Sequence, residues 1–263
     1  YEMDIDGKNL KLLPMAGDWD DIEPAYLPNG DIIYCSSRHR KTVQCGILPI
    51  ANLTRYSYAD NSIRALSVNP DQDNTPSVLK DGRIVYLKWD YNQRSQLSFH
   101  HLWTLNPDGT SDKIFFGNRY PGGVFLSPKE FPDRHETLFV ISPYHGETWN
   151  QQGRIAKVKN SCDPSDIYAL DFVSGDSGYN FFAPFPLKDG LMLTNTRNRL
   201  FVMDEFGHFE YIALPKELFE TRNEEYTVTL IKSQRKRELF VKDIQPLAKR
   251  PREKLIPDSV DYS

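Results

Sequence analysis

The sequence predicts an all-β protein, a β-propeller of four-stranded antiparallel blades with about five blades in this chain. Three observations predict it: one hairpin pattern recurs about every 50 residues, a second hairpin series interleaves with the first, and 13% of the 263 residues are aromatic.

The first series opens with "PAYLPNGDIIYCSSR" at residues 24–38 and "PSVLKDGRIVYLKWDY" at residues 76–91. Each reads as proline, a short apolar run, a turn ending in glycine, then alternating apolar and polar residues. The turns Asn29-Gly30, Asp81-Gly82, Asp133-Arg134 and Asp189-Gly190 keep the same interval, the third with arginine in place of glycine. Asn-Gly and Asp-Gly supply positive φ cheaply, so two-residue hairpins are expected. A weaker copy, "YTVTLIKSQRKRELFVKD", turns near Ser233 to Arg235.

The second series turns at Gly7, Asn61, Gly109 and Gly207, with a degenerate copy near Lys159 and Asn160. Two hairpins per period make four short strands, the content of one propeller blade. Residues 1–14 hold only an outer hairpin and residues 226–243 only an inner one, so together they would complete a blade and close a ring of about five. A six- or seven-bladed ring cut in mid-blade explains the same start equally well. The propeller is thus expected over 1–243, with 244–263 as an extended tail containing proline and arginine.

The formal charge of -4 comes from 32 basic and 36 acidic residues without a basic face, which argues against nucleic acid and anionic membrane as partners. No apolar run approaches the roughly 18 residues of a membrane span. The opening "YEMDIDGKNL" has neither a charged n-region nor an apolar h-region, which leaves both a removed signal peptide and a missing N-terminal segment open.

In their order, "EPAYLPNGDIIYCSSR", "TPSVLKDGRIVYLKWDY", "LWTLNPDGTSDKIFFGN" and "PFPLKDGLML…RLFVMDEFGH" resemble the TolB-type propeller in the middle region of hydrazine synthase alpha-subunit-like proteins. The resemblance covers most of residues 1–260 and implies an extracytoplasmic propeller, periplasmic or at the cell surface, accompanied by segments that bind c-type haem. This chain has three cysteines and no CxxCH, so covalent haem is not expected and the redox chemistry does not carry over. The expected function is an interaction or ligand-binding module with a protein partner or an anionic ligand. One alternative is the propeller part of a haem- or metal-dependent redox enzyme completed by other segments or subunits; another is a carbohydrate-active propeller at the cell surface.

The family also carries a cysteine pair near the loop after the second strand. Here Cys35 closes that strand and Cys45 follows "SSRHRKTVQ", so a disulfide stapling the loop is expected, the alternative being a buried Cys35 and a free Cys45. Cys162 is the odd thiol. The same loop concentrates Arg38, His39, Arg40 and Lys41, a cationic cluster suited to an anionic ligand or an acidic partner surface.

Of the histidines His39, His100, His101, His135, His145 and His208, the adjacent pair 100 and 101 must point to opposite strand faces. His145 aligns with a histidine-containing loop of the resembled family and joins Arg38, His39 and Arg40 as a candidate ligand or partner contact. With Cys45, His39 or Asp90 it could converge on a metal, although no pair has metal-site spacing. The acidic stretch "GDWDDIEP" lacks the order of an EF-type calcium loop and reads as a polar lead-in to a blade. The run Lys232 to Glu238 reads as a solvated hairpin tip. No G-x-S-x-G elbow, phosphate loop or HExxH occurs. A glycosidase-like site would need Asp21, Glu23, Asp90 and Asp204 gathered at the propeller axis.

Overall fold

A computed structural model describes residues 1–15, 17–143, 152–175, 181–196 and 199–213. Among them are four blades of four antiparallel strands. Blade 1 holds β1 (Asp21–Tyr26), β2 (Ile32–Ser36), β3 (Asn52–Tyr56) and β4 (Ile63–Ala65). Blade 2 holds β5 (Asp73–Val78), β6 (Ile84–Trp89), β7 (His100–Leu105) and β8 (Lys113–Phe116). Blade 3 holds β9 (Val124–Glu130), β10 (Glu136–Ser142), β11 (Arg154–Lys159) and the two-residue β12 (Asp171–Phe172). Blade 4 holds β13 (Phe182–Pro186), β14 (Met192–Thr196), β15 (Arg199–Met203) and β16 (Phe209–Ile212). A single 3₁₀ turn, Ile167–Ala169, precedes β12, and no helix of the described residues is long and apolar enough to cross a membrane. The copy at 226–243 and the tail at 244–263 lie outside the described residues.

The expected turns fall between paired strands, but those at Gly30, Gly82, Gly109 and Gly207 are three-residue loops, not two-residue ones, and the Asp133-Arg134 turn is one residue longer, closed by Phe131 N–H on the Glu136 carbonyl. Gly30 N–H donates to the Leu27 carbonyl and Leu27 N–H to the Asp31 carbonyl; the same pair of bonds closes Leu79–Arg83, Asn106–Thr110 and Asp204–His208. Within the first loop only Gly30 has positive φ, +91°, and Asn29 does not. A two-residue type I′ turn needs positive φ at both central residues, whereas a type I turn closed by a left-handed glycine needs it at one. The Asn29 side chain accepts the Asp31 N–H at 3.2 Å, and the Asp81 side chain accepts that of Arg83 at 3.0 Å, which is why Asn or Asp precedes the glycine.

Blades pack face to face and share their cores. Leu27, Ile33, Cys35 and Leu53 of blade 1 meet Val78, Ile84, Tyr86 and Leu105 of blade 2. Leu102 and Phe116 of blade 2 meet Phe125 and Phe139 of blade 3. Phe131, Leu138 and Ile155 of blade 3 meet Met192, Phe201 and Met203 of blade 4. No blade here buries both of its faces alone, so each is stabilised by its neighbour at roughly 1.5–3 kcal/mol per large buried side chain.

The first strands β1, β5, β9 and β13 lie against one another around the axis. Each carries a bulge at a residue followed by proline: Glu23-Pro24, Thr75-Pro76, Ser127-Pro128 and Ala183-Pro184. All four residues before proline have positive φ, between 32° and 56°. Each of these strands has a partner on one side only in its own blade. Proline there removes an N–H that would face the axis unpaired.

Candidate functional site

Chain direction places the loops between second and third strands, and those between blades, at one end of the propeller. Hairpin turns occupy the other end. At the loop end, residues 37–51 of blade 1 form the most elaborated described segment. A bridge pairs Thr42 with Pro49, Val43 N–H donates to the Leu48 carbonyl at 3.0 Å, and Ile50 N–H donates to that of Lys41 at 3.1 Å. Side-chain contacts tie this loop to the segment that enters blade 2. Lys41 Nζ donates to the Asn69 carbonyl at 2.9 Å, and Gln44 Nε2 donates to the buried Asp71 carboxylate at 2.7 Å.

The cationic cluster divides. Arg38 is turned inward: Nε donates to Ser36 Oγ at 2.9 Å, Nη2 pairs with Asp21 at 3.2 Å, and the guanidinium lies 5.1 Å and 5.5 Å from the Trp19 and Tyr34 ring centres. Its side chain is only 13% exposed. Arg40, with φ of 51°, is 73% exposed and sits 3.7 Å from Asp18. His39 is exposed beside it. The acidic lead-in to β1 therefore neutralises much of the loop's charge, a pairing across about 20 residues that neither stretch reveals alone. The loop tip offers apolar surface instead: Ile47 is 91% and Leu48 69% exposed.

The expected Cys35–Cys45 bridge is not formed, and all three cysteines are free. Cys35 lies on the face of β2 buried against blade 2, whereas Cys45 is exposed in the loop, so the two side chains occupy opposite environments. Burial pushes the Cys35 thiol well above its usual range, and the nearby Glu23 and Asp73 carboxylates add to this.

Of the carboxylates expected at the axis, the structure brings only Glu23 to the bulge of a first strand. Asp21 pairs with Arg38, Asp204 caps the exposed Asp204–His208 turn through His208 at 2.9 Å, and Asp90 belongs to a separate cleft on blade 2. The four are therefore not gathered into one site: Asp90 and Asp204, after β6 and β15, are carried to other parts of their blades. Glu23 accepts the Thr75 N–H at 2.5 Å and is bonded to Cys35 and Asn74. Burial raises its carboxyl above the usual value, against the pull of those bonds and of Lys129. This interblade contact was missed from the sequence, although the proline after each bulge, at residues 24, 76, 128 and 184, was a usable signal.

His145 and the run 232–238 lie outside the described residues. His100 is buried and stacked on Trp89 at 4.7 Å, His135 holds Glu130 at 2.9 Å, and no group of three or more metal-ligating side chains occurs among the described residues.

No protein-family model and no curated protein matches the chain. Solved structures do. The chain is similar to Kuenenia stuttgartiensis hydrazine synthase over 77% of its own length and 33% of that chain, at 16% identity and a TM-score of 0.63. It is similar to TolB from Acinetobacter baumannii over 79% of its length and 46% of that chain, at 11% identity and 0.52. A putative TolB from Agrobacterium tumefaciens matches over 72% of this chain and 63% of that one, at 15% identity and 0.50. The chain thus spans a third to under two thirds of these proteins, and at such identities the likeness shows the fold, a TolB-like β-propeller, and no activity.

Proposed function

We propose that the chain is an extracytoplasmic interaction module whose blade 1 loop, residues 37–51, docks a protein partner. The exposure of Ile47 and Leu48 at the tip of a loop pinned through Lys41 and Gln44 carries this reading. A pinned loop loses little conformational entropy on binding, and adjacent exposed apolar side chains at its tip gain by desolvation. His39 and Arg40 border the tip and suit an acidic rim on the partner. With Arg38 held by Asp21 and Lys41 by Asn69, a partner surface is favoured over a small anionic ligand. The extracytoplasmic setting rests on the resemblance to TolB propellers, and the propeller is proposed to extend to residue 243.

The test is quantitative affinity capture from cells that carry the protein, comparing the wild type with the double variant Ile47→Asp/Leu48→Asp and with Arg64→Glu on the exposed β4. A partner retained by the wild type and by Arg64→Glu but lost from the double variant supports the docking role. Equal retention by all three removes it. Recovery only in the cytoplasmic fraction overturns the setting.

A further inference from the structure

Blade 2 carries a second, independent feature. The pairing of β6 with β7 sets Lys88 opposite His101, and Asp90 N–H donates to the Phe99 carbonyl at 2.8 Å. On the next strand Ile114 lies opposite Trp103. Asp90, Phe99, His101, Trp103 and Ile114, with Arg94 and Asn118 from neighbouring loops, line a cleft of about 10 Å³, room for one oxygen atom in its enclosed part.

His101 is 2% exposed, and its Nε2 has no hydrogen-bond partner among the described residues. We assign the ring proton to Nδ1, on the side of the Gly122 backbone, which leaves the lone pair on the unpartnered Nε2. Burial lowers the imidazole to about 4, with the Arg94 charge acting in the same direction, so the ring is a neutral acceptor at neutral pH. A buried acceptor without a donor is costly, and such a group asks for an explanation. No hydrogen bond or ion pair among the described residues reaches the Asp90 carboxylate, a second acceptor on the same wall. Arg94 lies 4.1 Å above the Phe99 ring centre and donates through Nη1 to Asn118 Oδ1 at 3.0 Å.

We propose that this cleft binds a neutral, polyhydroxylated ligand: one saccharide unit that inserts a hydroxyl group between His101 and Asp90. An anion would face the Asp90 carboxylate and a lone pair. A cation would face the Arg94 guanidinium. A hydroxyl group donates to either acceptor and accepts from the guanidinium edge, so it meets every polar group present, which neither a pure anion nor a pure cation does. Trp103 and Ile114 supply apolar surface for the C–H face of a sugar ring.

The test uses the full chain, labelled for histidine and tryptophan side-chain nitrogen resonances, titrated with glucose, galactose and mannose, with galacturonate and glucosamine as charged controls. A saturable shift of His101 Nε2 and of the Trp103 indole by at least one neutral hexose is expected, with both charged sugars weaker by about tenfold. Asp90→Asn, at a side chain with no partner to lose among the described residues, should fold normally and weaken that hexose by about tenfold. A trisaccharide binding about tenfold more tightly than its monosaccharide assigns the site to glycan chains, and equal affinity assigns it to free sugars. Absence of any shift with the neutral hexoses, equal binding of galacturonate, or unaltered affinity in Asp90→Asn would each overturn the proposal.

Discussion

The carboxylate of Glu23 on the first strand of blade 1 accepts the backbone N–H of Thr75 on the first strand of blade 2 at 2.5 Å. Thr75 Oγ1 repeats the relationship, accepting the Ser127 N–H of blade 3 at 3.0 Å. The bulged residue of one blade thus satisfies the bulged residue of the next. Positive φ at Glu23, Thr75 and Ser127 is conformationally costly for residues with a side chain, and these bonds offset part of that cost.

Thr75→Val keeps the shape and removes the acceptor, leaving the Ser127 N–H unpaired. Urea unfolding should show a loss of about 1–3 kcal/mol, with Thr75→Ser restoring most of it. Equal stability of the valine and serine variants would show that the interblade bond contributes nothing.

Asp73 is fully buried, and burial raises its carboxyl from 3.8 to about 6 despite bonds from Ser67 Oγ at 2.5 Å and from Asn52 and Asn69 at 3.0 Å. Because the folded value is raised, the contribution of this group to stability is greatest below about pH 4 and is lost as pH rises toward 6. The loss is on the order of 3 kcal/mol. Comparing denaturant midpoints from pH 4 to 7, the stability difference between wild type and Asp73→Asn should change by that order across the window. A difference independent of pH would contradict the buried titration.

Arg38 and Arg40 should respond unequally to alanine. Arg38→Ala loses charge-assisted bonds to Asp21 and Ser36 as well as packing on Trp19, and should cost about 1–2 kcal/mol. Arg40→Ala, at a 73% exposed side chain, should stay within about 0.5 kcal/mol. Thermal unfolding of the two variants side by side decides this, and a reversed order would mean that the loop is arranged differently.

The thiols should sort by environment. Under native, unreduced conditions iodoacetamide should label Cys45 quickly and the half-buried Cys162 slowly, since burial raises the latter. Cys35 should label only after unfolding. A mass consistent with a Cys35–Cys45 disulfide would refute the free-thiol arrangement.

Removal of residues 1–14 should lower the melting temperature and promote association. Glu2 accepts the Tyr26 and Tyr58 hydroxyls at 2.8 Å each, and Leu13 packs with Ile32, Tyr34 and Tyr56. Loss of the leucine alone is worth about 2 kcal/mol or more. A monomeric truncation with unchanged melting temperature would show that the N-terminal hairpin plays no part in the fold.

The blade organisation was determined by the sequence itself, because its signals act within a few residues. Asn29 before Gly30 and Asp81 before Gly82 dictate a turn through their own side-chain bonds, and the run of β-branched and aromatic residues in Ile84–Trp89 dictates a strand. Even the arginine in place of glycine at residue 134 left the hairpin of blade 3 legible, because Pro128 before the turn and the apolar Leu138 and Val140 after it keep the pattern of the other copies. What only the tertiary structure decided is the fate of side chains whose partners lie one blade or one loop away. Arg38 and Arg40 are alike in the sequence, yet one is drawn under Trp19 by Asp21 and the other left in solvent. Cys35 and Cys45 looked like a pair until blade 2 covered the face that Cys35 occupies. Glu23 acquires its role only when β5 is laid beside β1, since local propensity carries no information about a hydrogen bond that spans 52 residues.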